Sequence, residues 1–252
     1  MAFIATEEII SYDHGLSQSY PLTVLVIMIP QAVIFDMDGL LIDTEKVSMA
    51  TFQDTCHSYQ AAHLAGQYHQ LIGRNQTEQQ AIFADILPDH IDIQRFDKDW
   101  RDLFLDQLRY HVPLKPHARM LCQWLKSVSL PMAVATSTQT AKAEAFLERA
   151  GLYEFMDAVI GGDQVQHGKP APDLYIKAAD AIACPPGHAL AFEDTYQGIE
   201  AAHAAGIAVV HIPDLMPAND FTRQHAVLIA DNLSMAAEQL GWPLENMDAK
   251  AT

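Results

Sequence analysis

The stretch Ala32-Val33-Ile34-Phe35-Asp36-Met37-Asp38-Gly39 decides the reading of the fold. Four apolar residues in a row, β-branched and aromatic among them, fit a strand buried on both faces of a parallel sheet. The run stops abruptly at two acids and a glycine, so its polar groups sit at the C-terminal end. Outward from it, apolar runs that end in polar or small residues recur at Met132 to Ala135, Ala158 to Ile160, Ala189 to Phe192 and Ile207 to His211. Helical stretches lie between them: Thr138 to Ala150 stopped by Gly151, Pro172 to Ile182, and Thr195 to Ala205 stopped by Gly206. This alternation predicts an α/β fold, a doubly wound parallel sheet covered by helices, with ligands bound beyond the carboxyl ends of the strands.

One segment breaks the alternation. From about Val47 to Pro113 the pattern is helical, with Trp100, Leu103, Phe104 and Leu108 at helical spacing. It reads as a small helical domain over residues 47–113 inserted into a core of residues 30–46 and 114–252, after an N-terminal extension of residues 1–29. Pro113 and Pro116 mark the return, and the following helix, His117 to Val128, carries Met120, Leu121, Trp124, Leu125 and Val128 on one face. The strand pattern begins just after Met28, which suggests a natural start downstream of the first methionine.

Composition narrows the function. The 252 residues are 50% hydrophobic and 19% charged, with 15 basic against 32 acidic side chains and a formal charge of −17. Such a chain repels a phosphate backbone unless its positive charge is clustered, and no cluster exists, so nucleic acid is not an expected partner. Cys56, Cys122 and Cys184 lie far apart without a CxxC pair, which fits a reduced, cytoplasmic setting. The apolar run Leu22 to Pro30 is too short to span a bilayer, and no Lys or Arg precedes Lys46, so neither membrane anchoring nor secretion is expected. Twelve histidines do not form a metal pattern; His57, His63 and His69, spaced by six, do not share a helical face.

The strand ends carry the chemistry. Asp36 and Asp38 can both be aimed at one point above the sheet as the chain turns into Gly39. Of two adjacent carboxylates, one can ionise as nucleophile or metal ligand while its neighbour keeps a proton to donate, although a DxD pair is as often a turn and cap feature. Thr136 and Ser137 place hydroxyls near a helix start, which suits an anionic oxygen and equally suits an N-cap. Lys169, in Gly168-Lys169-Pro170-Ala171-Pro172-Asp173, is either a placed positive charge or solvated surface. The fourth strand ends in Glu193-Asp194, and hard oxygen ligands converging from two strand ends favour Mg²⁺ over zinc or copper.

Taken together, these stretches resemble the four motifs of the haloacid dehalogenase (HAD) superfamily. The matching residues are Asp36 to Glu45, Ala133 to Ser137, Gly168 to Asp173 and Phe192 to Ala202, and the resemblance runs from about Gln31 to Trp242. It implies a HAD-like Rossmannoid core with a C1 cap at the insertion. True dehalogenases lack the second acid, so Asp38 points instead to a phosphoric monoester hydrolase. The resemblance implies that Asp36 attacks phosphorus to form an aspartyl phosphate and that Asp38 is the acid and base. It also implies that Asp36, the Asp38 carbonyl, Asp194 and Glu193 bind Mg²⁺, Glu193 directly or through water, and that Thr136 and Lys169 hold the phosphoryl oxygens. Ser137, Gly73 and Arg74 are the expected substrate contacts.

The expected activity is a Mg²⁺-dependent phosphatase acting on a small phosphorylated metabolite, a sugar phosphate or nucleotide-like monoester, as a monomer. The alternative is β-phosphoglucomutase-type phosphotransfer, but where that mutase has a hinge histidine this chain has Ser48. Phosphonate-cleaving relatives need a cap lysine, and residues 47–111 offer only Lys98. A catalytically silent binding protein would have lost one of Asp36, Asp38, Lys169 or Asp194, and all four are present. The stretch His211 to Pro217 resembles a loop of some phosphatases of this group.

Overall fold

The computed structural model describes residues 30–72, 74 and 76–244. Six parallel strands form one sheet: β1 (Ala32–Phe35), β2 (Met132–Ala135), β3 (Ala158–Ile160), β4 (Ala189–Glu193), β5 (Ala208–His211) and β6 (Leu228–Ile229). Their order is β3-β2-β1-β4-β5-β6, so the chain winds outward from β1 in both directions and the switch falls between β1 and β4. Nine α-helices are described: α1 (Thr44–Ser58), α2 (Gln76–Ile86), α3 (Ile93–Gln107), α4 (Ala118–Ser127), α5 (Thr140–Ala150), α6 (Asp173–Ala181), α7 (Tyr196–Ala204), α8 (Asp220–His225) and α9 (Leu233–Gln239).

The two-residue period of β1 builds both layers. Val33 and Phe35 join the apolar cluster that includes Leu121, Leu125, Phe146 and Ala236 from α4, α5 and α9. Ala32 and Ile34 face the opposite cluster, with Leu174, Tyr175 and Ile199 from α6 and α7. All four β1 side chains are fully buried, at about 1.5–3 kcal/mol for each large one. The register puts Phe35 level with Val134 and with Phe192, so the chain leaves the sheet at the same height on β1, β2 and β4. Asp36 extends that alignment by donating its N–H to the Phe192 carbonyl at 3.0 Å.

A third apolar cluster, with Phe52, Tyr68, Phe83, Phe96 and Trp100, belongs to α1, α2, α3 and the 3₁₀ segment Ala62–Gln70. The chain enters and leaves this region through adjoining backbone: Asp43 N–H donates to Pro113 O at 2.8 Å and Lys115 N–H to Leu41 O at 3.0 Å. Helix α1 begins at Thr44, three residues before the expected edge of the insertion at Val47. On α3, Trp100 faces the third cluster, while Leu108 just beyond its end and Phe104 pack on the sheet side, so one stripe serves two clusters.

Several boundaries differ from expectation for identifiable reasons. Helix α5 starts at Thr140, not Thr138, because Asp163 caps it by accepting the Thr140 N–H at 2.6 Å, while Thr138 stays in the loop and its carbonyl takes the Gly162 N–H. On α4 the fully buried stripe is Ala118, Leu121, Cys122 and Leu125; the expected Val128 is 47% exposed because the helix ends before it. Strand β6 has only two residues, too few for a periodic signal. The N-terminal extension of residues 1–29 lies outside the described residues.

Candidate active site

Asp36, the first residue after β1, is 7% exposed, and its Oδ1 accepts from Lys169 Nζ at 2.5 Å. The same ammonium donates to Glu193 Oε1, also at 2.5 Å, so one buried lysine bridges the ends of β1 and β4. Glu193 is saturated by the chain. Its Oε1 also takes the Tyr175 hydroxyl at 2.8 Å, and its Oε2 takes the N–H groups of Asp194 and Thr195 and the Thr195 hydroxyl at 3.0 to 3.1 Å. Gly198, one turn into α7, lets the helix lie against this carboxylate; any Cβ there would overlap the Glu193 side chain. Thr195 caps α7 by accepting from the Gly198 N–H.

Asp194 is the opposite case. It is 5% exposed and its Oδ1 is buried without a hydrogen-bond donor. Its Oδ2 lies against Gly39, which has φ of 86°, a left-handed conformation, and no room for a Cβ beside that oxygen. Burial raises the Asp36 carboxyl to about 8; Lys169 pulls it down, and Glu193 and Asp38 push it up. Burial likewise holds Asp194 well above the carboxylate range, with the charges of Asp36 and Glu193 adding to it. Burial alone would lower the Lys169 ammonium, but the carboxylates of Asp36 and Glu193 outweigh it and hold it above its ordinary value. Three buried acids against one ammonium leave the site short of positive charge.

The residues present fit a hard divalent cation. Carboxylate oxygens of Asp36, Glu193 and Asp194 lie within 4.8 Å of one another, and although Glu193 is taken by its own donors, the orphaned Asp194 Oδ1 is a costly buried group that an oxygen-seeking ion would satisfy.

Asp38 stands apart from the lysine. Its Oδ1 accepts the Thr44 hydroxyl at 2.7 Å, and its Oδ2 accepts the hydroxyls of Thr138 at 2.8 Å and Thr136 at 3.3 Å. Asp36, Asp38, Asp194, Thr44 and Thr138 open onto one cavity of about 600 Å³ between the strand ends and the inserted helices. Thr136 and Ser137 line it, as do Lys169 and Arg74; Arg74 is exposed and sits 3.4 Å from Glu78. Gly73 lies outside the described residues.

Thr138 and Thr44 on Asp38, Tyr175 on Glu193, and Glu45, Arg101 and Gln79 on the cavity wall were not singled out by sequence reasoning. Thr138 carried a usable signal: it sits two residues past Thr136, at a strand end. The others reach the cavity through tertiary packing, which leaves no local pattern. Among the described residues no helix is long and apolar enough to cross a membrane.

A family profile of haloacid dehalogenase-like hydrolases matches residues 33–212, and the chain belongs to this family. Several relatives are phosphatases by name. The phosphorylated carbohydrates phosphatase of Thermotoga maritima is 30% identical over 185 residues, covering 72% of this chain and 84% of that protein. The fructose-1-phosphate phosphatase of Escherichia coli is 34% identical over 188 residues, 71% of this chain and 95% of the other. The structure of CbbY from Rhodobacter sphaeroides in complex with phosphate shares the fold, with a TM-score of 0.68 at 24% identity over 84% of this chain and 100% of that one.

Proposed function

We propose that the protein is a Mg²⁺-dependent phosphatase that hydrolyses a small phosphorylated metabolite through an aspartyl phosphate on Asp36. The observation that carries this reading is the pairing at the cavity floor of an open, buried Asp36 with an orphaned Asp194 oxygen and a bridging Lys169. The names of several phosphatase relatives support it. Asp36, the Asp38 carbonyl and Asp194 would hold Mg²⁺, with Glu193 held back from direct ligation by its own donors. The bound ion supplies charge neutralisation at the phosphoryl group.

The chain's residues do the rest. An Asp36 carboxylate oxygen attacks phosphorus as the bond to the leaving oxygen breaks, and Asp38 delivers a proton to that oxygen. Asp38 then takes a proton from the water that attacks the phosphoryl group, which frees phosphate and restores Asp36. Thr44, Thr136 and Thr138 fix the direction of the Asp38 carboxyl. Two of the three ammonium protons of Lys169 lie on Asp36 and Glu193, which leaves one for a phosphoryl oxygen, joined by the Thr136 hydroxyl. Residues 47–113 act as the cap, with Arg74 meeting the substrate from above and Ser137 from below. The protein works as a cytoplasmic monomer.

Phosphate release from p-nitrophenyl phosphate tests this reading. Turnover should require Mg²⁺ and stop on chelation. Metal-independent turnover, or none, would overturn the proposal. With β-glucose 1-phosphate and a bisphosphate activator, free phosphate rather than glucose 6-phosphate is expected, since Ser48 stands where the mutase has its histidine.

A further inference from the structure

Of the cavity carboxylates that have no part in the chemistry above, Glu78 faces Arg74 and Asp214 faces Lys115, while Glu45 has no ion-pair partner among the described residues. Glu45, in the first turn of α1, lines the cavity from the side of the inserted helices. The Tyr68 hydroxyl donates to its Oε2 at 2.8 Å, and Tyr68 is itself fixed, 5% exposed and ring to ring with Phe52 and Trp100. A carboxylate has about four acceptor positions and Tyr68 fills one, so Glu45 faces the substrate space as an oriented acceptor. Burial raises its carboxyl, the Tyr68 bond opposes this, and Asp38 adds to it.

The cations that line the same space each face a carboxylate. Among the described residues that line the cavity, Lys169 faces Asp36 and Glu193, Arg101 faces Asp97 at 2.9 Å and Arg74 faces Glu78. Asp97 is 5% exposed, so the Arg101 pair is a fixed one. A second anionic group placed beside Glu45 would therefore meet a carboxylate that has no ion-pair partner of its own among the described residues. A hydroxyl would meet an acceptor.

We propose that Glu45, oriented by Tyr68, is a specificity residue that accepts a hydrogen bond from a hydroxyl of the leaving group, so that the preferred substrate is the monophosphate of a neutral polyol. This rests on the phosphatase reading above and adds to it the class of alcohol released. Tyr68 is a positioning residue; Glu45 touches the substrate.

Matched pairs of substrates test it: glycerol 3-phosphate against 3-phosphoglycerate, and sorbitol 6-phosphate against 6-phosphogluconate, each with p-nitrophenyl phosphate as a reference without hydroxyls. The wild type should favour the neutral member of each pair. Glu45→Gln should lower kcat/KM for the polyol phosphates relative to the aryl phosphate by about tenfold, the size of one charge-assisted hydrogen bond, and narrow the gap to the acids. Tyr68→Phe, which keeps the ring, should shift the same ratio in the same direction by less. Each ratio is taken within one variant, so a loss of folded protein cancels. An unchanged polyol-to-aryl ratio in Glu45→Gln, or a wild type that prefers the carboxylated substrates, overturns the assignment of Glu45 and leaves the phosphatase intact. A wild type inactive on every ester would take both down.

Discussion

The ends of β1 and β4 each present two acids, and in both places one is spoken for and the other is left open. At β4, Glu193 is held by Lys169, Tyr175, Thr195 and two backbone N–H groups, while the Asp194 Oδ1 next to it has no donor. At β1, three hydroxyls hold Asp38, while Asp36 has Lys169 alone. Buried polar groups are normally satisfied, so an open carboxylate beside a saturated one marks where something else must bind. In the proposed mechanism the open acids are the nucleophile and a metal ligand, while the held ones, Glu193 and Asp38, are kept in a fixed direction, Asp38 for proton transfer.

That contrast can be broken by substitution, and the open positions should suffer most. Asp36→Asn should remove turnover by on the order of 10⁴-fold or more, as loss of a nucleophile does, with stopped-flow phosphate release as the measure. Asp194→Asn should likewise abolish Mg²⁺-dependent activity. Because burial and the neighbouring carboxylates disfavour the ionised Asp194, replacing it with a neutral amide should also raise the melting temperature of the metal-free protein. A lower melting temperature would mean that Asp194 is not repelled by its neighbours, and the contrast would fail.

Glu193→Gln should cost less, about 10–100-fold in activity or metal affinity, the range for a group that positions ligands. Thr138→Ala should cost less again, since Thr44 and Thr136 remain on Asp38; one lost hydrogen bond of about 1 kcal/mol is roughly fivefold. A loss equal to that of Asp36→Asn at either site would erase the distinction between open and saturated acids.

The smallest effect concerns His211 at the end of β5. It is fully buried and burial lowers its pKa below the ordinary 6.5. Its folded-state pKa is therefore below the unfolded one, and the unfolded chain takes up the proton first as pH falls. Folding stability should decline below about pH 6.5 and flatten once the folded form also protonates. His211→Asn should weaken that decline in denaturant titrations at successive pH values.

Much of the floor of the site was legible because strands carry short, strong signals. β1 ends where its apolar run stops, and Asp36, Asp38, Thr136 and Asp194 follow strand ends that alternation could mark, whereas Lys169 stood out only through the family resemblance. The roof was less legible. Trp100 and Leu108 announced a helix, yet which faces of α1 and α3 look toward the cavity depends on packing across three clusters, so Glu45 and Arg101 gave no sign. The start of α5 was misplaced because its cap, Asp163, comes from a loop more than twenty residues later. The saturation of Glu193 was hidden for the same reason: Tyr175 belongs to another helix and reaches it only in the folded chain.

The paired backbone at Asp43, Pro113, Leu41 and Lys115 has a consequence for how such a protein can change. Because the segment between these residues departs and returns at neighbouring points, its helices can be lengthened, trimmed or exchanged without shifting the register of β1 against β2 and β4. If the inserted helices act as proposed, new leaving groups would be met by remodelling that part while the strand ends stay as they are.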